Sequence, residues 1–371
     1  MAETKKLLVA ASGTGGHLFP AIATVEQLSD YEIEWLGVPN RLETRLVPEQ
    51  YPLHLVDLEG IQTALGLGGI RLFFRLLGSV RQVRRLLSQG KFDGVFTTGG
   101  YIAAPAIIAA RSLGLPAILH ESNALPGKVT RWLSPWCTTV ALGFSAAAAH
   151  LPKAKAVCVG TPVRQAFQAH SDAPELPGLE IPADVPLIVV VGGSQGAVAV
   201  NQLVRQSLKT WLTEGIWVVH LTGDNDPDAD AVNYSHYLHR PFYDHMAALL
   251  QRADLAISRA GAGTLVELAI TQTPTILIPY PFAAEDHQTF NAAVFAAAGA
   301  AQVHQQADLD AQTLEQKVLA LIQSPDRLKK MAMAAESLAV SDSAARLSQL
   351  IDEQLRNGSS RAARRGPKNG G

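Results

Sequence analysis

The chain has little cysteine and no long apolar run. Of its 371 residues only Cys137 and Cys158 are cysteine, without the spacing of a metal site. A disulfide framework is therefore excluded, which is typical of a protein from a reducing compartment. The apolar stretches fall short of the roughly 18 residues needed to cross a bilayer, and no N-terminal segment resembles a signal peptide. We expect a protein of the cytosol, or one attached to a membrane from the cytosolic side.

An excess of charge of either sign is also lacking. The 31 lysines and arginines nearly balance the 33 aspartates and glutamates, which gives a formal net charge of −2. No overall field attracts a polyanion, so we expect no nucleic-acid partner, and a membrane surface would have to be met by a local patch. The composition, 47% hydrophobic and 17% charged, is that of a globular protein. A chain of this length is longer than a domain with a single hydrophobic core usually is, so two domains are expected.

Two common nucleotide-binding motifs are missing. The sequence holds no Gly-Lys-Ser/Thr of a P-loop, and neither of its glycine-rich loops has the G-x-G-x-x-G spacing of dinucleotide-binding domains. The second predicted strand ends in Trp-Leu-Gly at residues 35–37, with no acid placed to hold an adenosine ribose. These absences disfavour nicotinamide chemistry and ATP hydrolysis.

One pattern occurs twice, about half the chain apart. The apolar residues 7–11 are followed by Ser-Gly-Thr-Gly-Gly-His at 12–17 and by a helix-like segment from near Pro20. The apolar residues 187–191 are followed by Gly-Gly-Ser-Gln-Gly at 192–196 and by a second helix-like segment. A buried strand, a glycine loop and a helix N-terminus leave unpaired N–H groups that receive anions. The repeat predicts two nucleotide-type α/β domains and a large ligand that contains a phosphate ester.

Short β-rich runs alternate with helical patterns along the whole chain, which predicts parallel sheets with helices on both faces. The predicted strands cover residues 7–11, 32–36, 53–56, 94–97, 117–120, 139–142, 156–159, 187–191, 217–220, 255–257 and 275–278. The fold class is therefore α/β with two Rossmann-like domains.

The domain boundary is predicted at Gly160-Thr161-Pro162, directly after a strand. The stretch 171–186 is rich in Pro and Gly, which predicts a surface loop. The last residues, 357–371, contain no acid and no apolar periodicity, which predicts a disordered basic tail.

Further polar residues lie at the ends of two strands in the second half. One predicted strand runs into Ser-Arg-Ala-Gly-Ala-Gly-Thr at 258–264, and the helix after it carries Glu267. The next strand is followed by Gln288. Ligands bind at the carboxyl ends of parallel strands, so both side chains are expected in one crevice. There Glu267 can accept hydrogen bonds from vicinal hydroxyls and Gln288 can bond an amide or a hydroxyl; a solvated helix face is the alternative for Glu267.

The acidic run Asp-Asn-Asp-Pro-Asp-Ala-Asp at 224–230 imitates a metal motif. A calcium loop that began at Asp226 would need Gly and Glu where Ala231 and Tyr237 stand. A solvated loop is the better interpretation. We expect no cofactor and no essential metal.

Six motifs occur in an order that one family shares. They are Gly-Thr-Gly-Gly-His at 13–17, Thr-Gly-Gly-Tyr at 98–101, His-Glu-Ser-Asn at 120–123, Gly-Thr-Pro-Val-Arg at 160–164, Gly-Gly-Ser-Gln-Gly-Ala at 192–197 and the stretch 262–267. Together they closely resemble the MurG family of UDP-N-acetylglucosamine transferases, part of glycosyltransferase family 28, over roughly residues 5–350. The resemblance implies the GT-B fold, with two Rossmann-like domains across a cleft and a C-terminal helix that returns to the first domain. The implied domains are residues 1–160 with 341–356, and residues 161–340.

The resemblance also implies an activity and its site. N-acetylglucosamine would pass from UDP to the C4 hydroxyl of the muramyl sugar of lipid I, a polyprenyl diphosphate, to give lipid II. The residues implied to hold UDP-N-acetylglucosamine in the C-terminal half are Arg164, Ser194, Tyr243, Ala262, Gly263, Thr264, Leu265, Val266, Glu267 and Gln288. Glu267 would take the ribose hydroxyls, and the backbone at Tyr243 would meet the uracil. On the N-terminal side, where the acceptor's diphosphate is expected and the sugar reaches across, the lining residues would be Thr14, Gly15, Gly16 and Asn123.

The family inverts the configuration at C1, so one displacement suffices and a base must take the proton of the acceptor hydroxyl. His17 is the first candidate, because imidazole titrates near neutral pH. Orienting or capping the loop is the alternative role for His17, and Glu121 is the second candidate base.

Departing UDP would be stabilised by Arg164, Ser194 and the helix that begins near Gly196. The chain departs from the family at Ser122, where Gln is frequent, and at Gly263, where Leu is usual. A glycine at position 263 loosens the loop over the nucleotide.

One helix-like segment combines cationic and apolar residues. Residues 60–92 contain no acid, but they contain arginines at 71, 75, 81, 84 and 85 and apolar residues at helical spacing at 73, 76, 77, 80, 83 and 87. Such a helix suits an anionic membrane surface, although part of its apolar face is expected to pack on the sheet. Arg71, Leu72, Phe74 and Arg75 remain for lipid contact. By analogy with the family, we expect a peripheral protein on the cytoplasmic face of the bacterial inner membrane.

Other functions share this architecture. A diacylglycerol galactosyltransferase is similar in fold and also acts on a lipid; the segments 99–101 and 120–123 favour the peptidoglycan enzyme, but the choice between glucosamine and galactose donors does not follow from one chain. A UDP-N-acetylglucosamine 2-epimerase has the same two domains and no lipid substrate. A binding-only module would need neither a base at the cleft nor a basic, apolar helix beside it.

Overall fold

The computed structural model describes residues 4–58, 67–169, 171, 174–193 and 196–364, and for residues 67–73 and 359–364 it describes the backbone alone. The chain forms two compact units. Unit 1 contains residues 1–164 and 342–371, and unit 2 contains residues 165–341. The boundaries expected from the sequence, after residue 160 and after residue 340, differ from this division by a few residues.

Unit 1 contains a seven-stranded sheet whose paired strands are all parallel. Its strands are β1 (Lys5–Ala10), β2 (Tyr31–Gly37), β3 (Leu53–Leu55), β4 (Gly94–Thr97), β5 (Ala117–Glu121), β6 (Thr139–Leu142) and β7 (Ala156–Cys158). The order in the sheet is β3-β2-β1-β4-β5-β6-β7. The strand order reverses between β1 and β4, and the crevice outside the carboxyl ends of these two strands is where open α/β sheets bind ligands.

Helices cover both faces of this sheet. They are α1 (Gly15–Val25), α2 (Glu43–Leu46), α3 (Leu67–Gln89), α4 (Ala103–Ser112) and α5 (Lys128–Leu133), with short 3-10 helices at Ser134–Trp136 and Ser145–His150. Successive residues of β1 point to opposite faces, so Leu8 joins the core under α3 and α4 while Leu7 and Val9 join the core under α1. All three residues are fully buried, so helices cover β1 on both faces of the sheet.

Unit 2 repeats the arrangement with a six-stranded parallel sheet in the order β10-β9-β8-β11-β12-β13. Its strands are β8 (Leu187–Val191), β9 (Trp217–Leu221), β10 (Tyr237–Arg240), β11 (Leu255–Ser258), β12 (Thr275–Leu277) and β13 (Ala301–Val303). Its helices are α6 (Val198–Thr213), α7 (Met246–Arg252), α8 (Ala262–Ile270), α9 (His287–Ala298), α10 (Ala311–Ile322) and α11 (Pro325–Glu336), with 3-10 helices at Gln165–Phe167, Ala284–Asp286 and Gln306–Asp308. Here the strand order reverses between β8 and β11.

The last helix, α12 (Ser343–Arg364), belongs to unit 1 and packs on α1. Leu347, Ile351 and Leu355 are buried on its inner face. The helix continues past residue 356, so the prediction of disorder is wrong for the backbone of residues 357–364. Residues 365–371 lie outside the described part of the chain.

The two-sheet α/β fold expected from the sequence is confirmed, and every predicted strand is present. Two strands were not predicted, β10 and β13, because they are short edge strands that contain polar residues. Helix α1 begins at Gly15, earlier than predicted, and includes Pro20. Pro20 therefore lies inside the helix, where proline removes one backbone hydrogen bond and crowds the carbonyl four residues back; the packed helix tolerates this cost.

Candidate active site

The first glycine loop joins β1 to α1 at the point where the strand order of unit 1 reverses. Thr14 caps α1 with an extended backbone (φ −107°), and its carbonyl accepts from the N–H groups of His17 at 3.0 Å and Leu18 at 3.2 Å. The first N–H groups of the helix, on Gly15 and Gly16, have no acceptor within the helix. No acid stands in the first turn, so this helix end offers partial positive charge to an anion.

A glutamate that sequence reasoning missed holds this loop in place. Glu43, at the start of α2, is fully buried. Its carboxylate accepts hydrogen bonds from Ser12 Oγ at 2.5 Å, Gly13 N at 3.1 Å and Val38 N at 2.7 Å. It also packs against Gly37, where a Cβ atom would lie 2.7 Å from Glu43 Cγ. The available signal was an acid a few residues after the second strand, beyond the strand end at which related folds place a ribose-binding acid.

His17 lies in the first turn of α1, beside the loop that follows β4. Its Nδ1 is 2.7 Å from the carbonyl oxygen of Thr98. A carbonyl only accepts, so Nδ1 carries the proton and the neutral ring has its basic lone pair on Nε2. Gly99 and Gly100, with φ of +95° and +73°, pass so close to the ring that a Cβ atom on them would lie 3.5 and 3.7 Å from it. This geometry suits a general base that acts through Nε2.

Glu121, the second candidate base, is engaged on both of its carboxylate oxygens. Oε1 accepts from N and Nδ2 of Asn123, both at 3.0 Å. Oε2 accepts from Gly127 N at 3.2 Å and from Thr130 Oγ1 at 2.7 Å. The side chain is buried, and four donors around one carboxylate suit a charged group that fixes a loop. The geometry favours a structural role for Glu121 and leaves His17 as the better candidate base.

Arg164 lies beside α1. Its guanidinium is 4.9 Å from the centre of the Phe19 ring, a cation–π contact. The same ring packs on Gly15, where a Cβ atom would lie 2.8 Å from Phe19 Cε2. Arg164, the last residue of unit 1, is thereby brought towards the N-terminus of α1.

His120, at the end of β5, is buried and donates from Nε2 to the Gly160 carbonyl at 3.0 Å. Burial lowers the pKa of His120, so its ring is neutral.

The second glycine loop joins β8 to α6 in unit 2. Gly193 and Gly196 have φ of +87° and +75°, in the left-handed region that favours glycine. Gly196 lies so close to the next loop that a Cβ atom would be 2.3 Å from the Thr222 carbonyl oxygen. The sequence therefore needs glycine here for a tight turn. Ser194, which the resemblance implies in donor binding, lies outside the described residues.

The acidic run 224–230 is not wholly the solvated loop that the sequence predicts. The Asp226 side chain is fully buried and accepts from Arg205 Nη1 at 2.7 Å and from Asn201 Nδ2 at 2.7 Å. Burial raises the pKa of Asp226, but the hydrogen bonds from Arg205 and Asn201 outweigh it and the net shift is downward. Asp226 thus ties the loop to α6. Among the described residues, no three or more His, Cys, Asp or Glu side chains are grouped as a metal site.

A buried polar network continues from Asn201 to the strands beside the glycine loop. Asn201 Nδ2 also donates to the Thr222 carbonyl at 2.9 Å, and its Oδ1 accepts from His220 Nε2 at 3.0 Å. The Tyr237 hydroxyl donates to His220 Nδ1 at 2.9 Å. Burial lowers the pKa of His220 to about 3, so the ring stays neutral and can accept at Nδ1. The network holds the backbone on which Gly196 packs.

The stretch implied to meet the nucleotide forms the start of α8. The helix begins at Ala262 after Gly261, and its first turn carries no acid. Leu265 and Val266 are buried, and the N–H of Leu265 donates to the Gly261 carbonyl at 3.0 Å, so these two residues support the helix start. Glu267 is half-buried one turn further on. This helix start offers N–H groups to an anion and a carboxylate to hydroxyl groups.

Gln288 and Asn291 of α9 clamp the end of β11. Gln288 Oε1 accepts from the N–H groups of Ala260 at 3.1 Å and Tyr280 at 2.9 Å. Asn291 Nδ2 donates to the Ala260 carbonyl at 3.1 Å. The carbonyl half of the Gln288 amide is therefore structural, and its NH₂ half is what it offers a ligand. Just before α9, residues 285 and 286 have φ of +53° and +57°, a strained conformation that clusters at binding sites.

Tyr243 precedes α7, and its hydroxyl donates to the Pro177 carbonyl at 3.2 Å. Burial raises the pKa of Tyr243. The side chain thus faces the loop 174–186, which leaves the backbone for the implied uracil contact. Arg252 of α7 donates to three carbonyls of the same loop, those of residues 182, 183 and 185, so this predicted surface loop is pinned to α7.

The basic, apolar segment forms α3. Val83 and Leu87 are buried against the sheet, whereas Phe74 is 63% exposed and Arg75 is half-buried. The side chains of Arg71 and Leu72 lie outside the described part of the chain. Over the described residues, no helix is both long and apolar enough to span a bilayer.

Two exposed tryptophans that sequence reasoning missed lie on neighbouring elements of unit 1. Trp132, on α5, is 71% exposed, and Trp136, in the 3-10 helix after it, is 53% exposed. Both α3 and α5 pack against α4. The packing of neighbouring elements determines how exposed these tryptophans are. The sequence shows only that tryptophan is apolar, so it does not reveal their exposure.

Each unit places polar residues after the carboxyl ends of its strands. In unit 1 they are His17 after β1, Asn123 after β5 and Arg164 after β7; in unit 2 they are Glu267 after β11 and Gln288 after β12. Two doubly wound parallel sheets, each with a glycine loop and a helix N-terminus, are the architecture of two-domain glycosyltransferases.

The chain belongs to glycosyltransferase family 28: the model of the family's C-terminal domain matches residues 187–347, and that of its N-terminal domain matches residues 7–142. A relative from Nostoc sp. PCC 7120 is 63% identical over 94% of this chain and 97% of its own. One from Trichormus variabilis is 64% identical over 94% of this chain and 97% of its own. Both are named UDP-N-acetylglucosamine–N-acetylmuramyl-(pentapeptide) pyrophosphoryl-undecaprenol N-acetylglucosamine transferase. The crystal structure of Acinetobacter baumannii MurG is 30% identical, with a TM-score of 0.75, covering 94% of this chain and 99% of that one.

Proposed function

We propose that this protein transfers N-acetylglucosamine from UDP-N-acetylglucosamine to the C4 hydroxyl of the N-acetylmuramyl unit of lipid I, which gives lipid II for peptidoglycan. The observation that carries the proposal is the full-length match to relatives named for this transfer, 63–64% identical over 94% of the chain. The geometry of both strand edges supports it, because each offers helix N-termini to phosphate groups.

The donor contacts proposed in unit 2 follow the roles that the family resemblance implies and the chemistry of each group. Glu267 accepts the ribose hydroxyls beside the start of α8, and the backbone at Tyr243 meets the uracil. The NH₂ half of the Gln288 amide donates to a hydroxyl of the hexose. Ser194 and the start of α6 meet the diphosphate.

The contacts proposed in unit 1 serve the acceptor and the reacting atoms. The N–H groups of Gly15 and Gly16, with Thr14 and Asn123 beside them, take a diphosphate oxygen or the sugar. His17 Nε2 takes the proton of the attacking C4 hydroxyl as the oxygen displaces UDP at C1. The Thr98 carbonyl holds Nδ1–H and stabilises the imidazolium that forms. Arg164 offers its charge to the departing UDP. We expect no cofactor and no essential metal, so turnover should persist in EDTA.

The other functions considered from the sequence are less well supported. The relatives named above carry one and the same transferase name at high identity. An epimerase would have no use for a lipid-facing surface. A galactosyl donor is the alternative that a direct donor comparison tests.

We propose that unit 1 meets the cytoplasmic face of the bacterial inner membrane, as a peripheral protein, through α3 and α5. The acceptor's polyprenyl chain resides in that membrane. Exposed Phe74, Trp132 and Trp136 support this, because aromatic side chains favour the membrane–water interface. The arginines of α3, Arg71 and Arg75 among them, add attraction to anionic headgroups. Leu72 is adjacent to them in the chain.

The proposed reaction is tested by incubating the protein with UDP-N-acetylglucosamine, with and without lipid I, and measuring both UDP and lipid II. We expect UDP release and lipid II only when lipid I is present. UDP-galactose in place of the donor should give much less product. UDP release without acceptor would point to an epimerase or a hydrolase, and no turnover with both substrates would contradict the proposal.

A further inference from the structure

Each unit carries an acidic residue shortly after its second strand, and in each unit the side chain of this residue is buried. Dinucleotide-binding domains use an acid in this region to bind the ligand's ribose. Here Glu43, after β2, and Asp226, after β9, have fully buried side chains. Glu43 bonds to the first glycine loop, and Asp226 bonds to the helix that follows the second. The acids therefore act on the protein's own loops rather than on a ligand.

Glu43 determines which groups the first glycine loop can offer. It takes the hydroxyl of Ser12 and the N–H of Gly13 out of reach of a ligand. Gly13 has φ +103°, in the left-handed region, and its N–H donates to Glu43, so this hydrogen bond helps to hold the conformation of the loop. The residues next in the chain are Thr14 and the first turn of α1, which carries His17. A shift of this loop would move the anion-binding N–H groups.

We propose that Glu43 is a positioning residue for the acceptor side of the reaction, acting through Ser12 and Gly13 on the N-terminus of α1. This inference rests on the proposed function. Because Glu43 is fully buried, it does not touch substrate. A residue with only a structural role would lower stability and affect both substrates alike, whereas a positioning residue affects the substrate whose site it aligns.

The test is the variant Glu43→Gln, which keeps the size of the side chain. The amide oxygen can still accept from Ser12 and Val38, but the amide NH₂ then faces the N–H of Gly13, donor against donor. We expect kcat/KM for lipid I to fall by about tenfold to a hundredfold, since small misplacements of reacting groups cost this much. The KM for UDP-N-acetylglucosamine should change by less than about twofold.

The matched control is Glu34→Gln, the same change on β2 of the same unit, where the carboxylate pairs with Lys6 and His54. We expect this control to leave kcat/KM for lipid I unchanged. A double-mutant cycle with Ser12→Ala should be non-additive, because both changes act on one loop. Additive effects, an equal loss of kcat/KM for lipid I in Glu34→Gln, or an equal rise in KM for donor and acceptor would overturn the inference.

A readout that needs no turnover separates this inference from the proposed function. Amide hydrogen exchange at residues 13–18 should be faster in Glu43→Gln than in Glu34→Gln, at matched overall stability. Unchanged exchange would overturn the inference even if the wild-type protein proved active. Faster exchange in a protein without transferase activity would support the role of Glu43 in the loop and refute the proposed function instead.

Discussion

At the scale of single residues, the hydrogen bonds around a side chain decide what chemistry it can do. His17 and Glu121 are both residue types that can take a proton. The Thr98 carbonyl occupies only Nδ1 of His17 and leaves Nε2 basic, whereas donors surround both oxygens of Glu121. Residue type alone therefore left two candidate bases, and the surroundings favour one.

Replacement of His17 by alanine should lower kcat by about a hundredfold to ten-thousandfold, the usual contribution of a general base. The dissociation constant for UDP-N-acetylglucosamine should change little, because the donor contacts proposed in unit 2 remain. Initial rates and a donor titration measure the two effects. His150→Ala, at an exposed position of unit 1, is the control and should behave as wild type. An unchanged kcat would remove His17 from the mechanism.

At the scale of elements, α12 shows how a distant segment completes a unit. Asp352 of this helix accepts from the Tyr31 hydroxyl at 2.5 Å, and its carboxylate also pairs with Lys5 at 3.4 Å and Arg356 at 2.7 Å. Burial raises the pKa of Asp352, but these donors outweigh it and the net shift is downward from 3.8. The charged form of Asp352 therefore helps to hold α12 on the first strands.

Because its folded pKa is depressed, Asp352 should contribute stability above its unfolded pKa and lose that contribution as the pH falls through the folded pKa. We expect Asp352→Asn to lower the free energy of unfolding by about 1 kcal/mol at pH 7, as is usual for partly exposed pairs. The difference from wild type should shrink below pH about 4. Urea denaturation across pH measures it, with the exposed Asp184→Asn as control. A difference that stayed constant down to low pH would contradict this role.

At the scale of the whole molecule, a net charge of −2 coexists with a local cationic and aromatic surface on unit 1. The formal charge of the chain gives no reason for membrane binding. Phe74 on α3 and the tryptophans on and after α5 nevertheless stand exposed in a unit whose α3 carries arginines and no acid. Local surface, rather than net charge, would then determine membrane binding.

Flotation with vesicles that contain anionic lipid tests this surface. Phe74→Glu should reduce the vesicle-bound fraction several-fold, because it adds a like charge and removes apolar contact. Phe242→Glu changes an exposed phenylalanine of unit 2 and should leave binding unchanged. Binding of the wild type should also weaken with salt. Equal flotation of Phe74→Glu and wild type would argue against α3 as the contact.

Much of the fold followed from local pattern. Buried parallel strands need nearly continuous apolar runs, so each predicted strand was found, whereas β10 and β13 escaped because edge strands tolerate polar residues such as His239 and Gln302. The prediction of disorder was wrong for the backbone of residues 357–364, because α12 continues through them. Asn357 and Gly358 are typical of a helix end, yet the helix runs through them, so a local stop signal was misleading here.

The amino-acid sequence by itself determined the α/β class, the two glycine loops and the family, because these depend on residue type, period and order along the chain. Only the tertiary structure decided the use of the polar groups: Glu43, Asp226 and one half of the Gln288 amide are consumed by the protein's own backbone and side chains. Their partners are distant in sequence, and a hydrogen bond forms only where folding brings donor and acceptor within about 3 Å. The local sequence pattern therefore does not show which donor meets which acceptor.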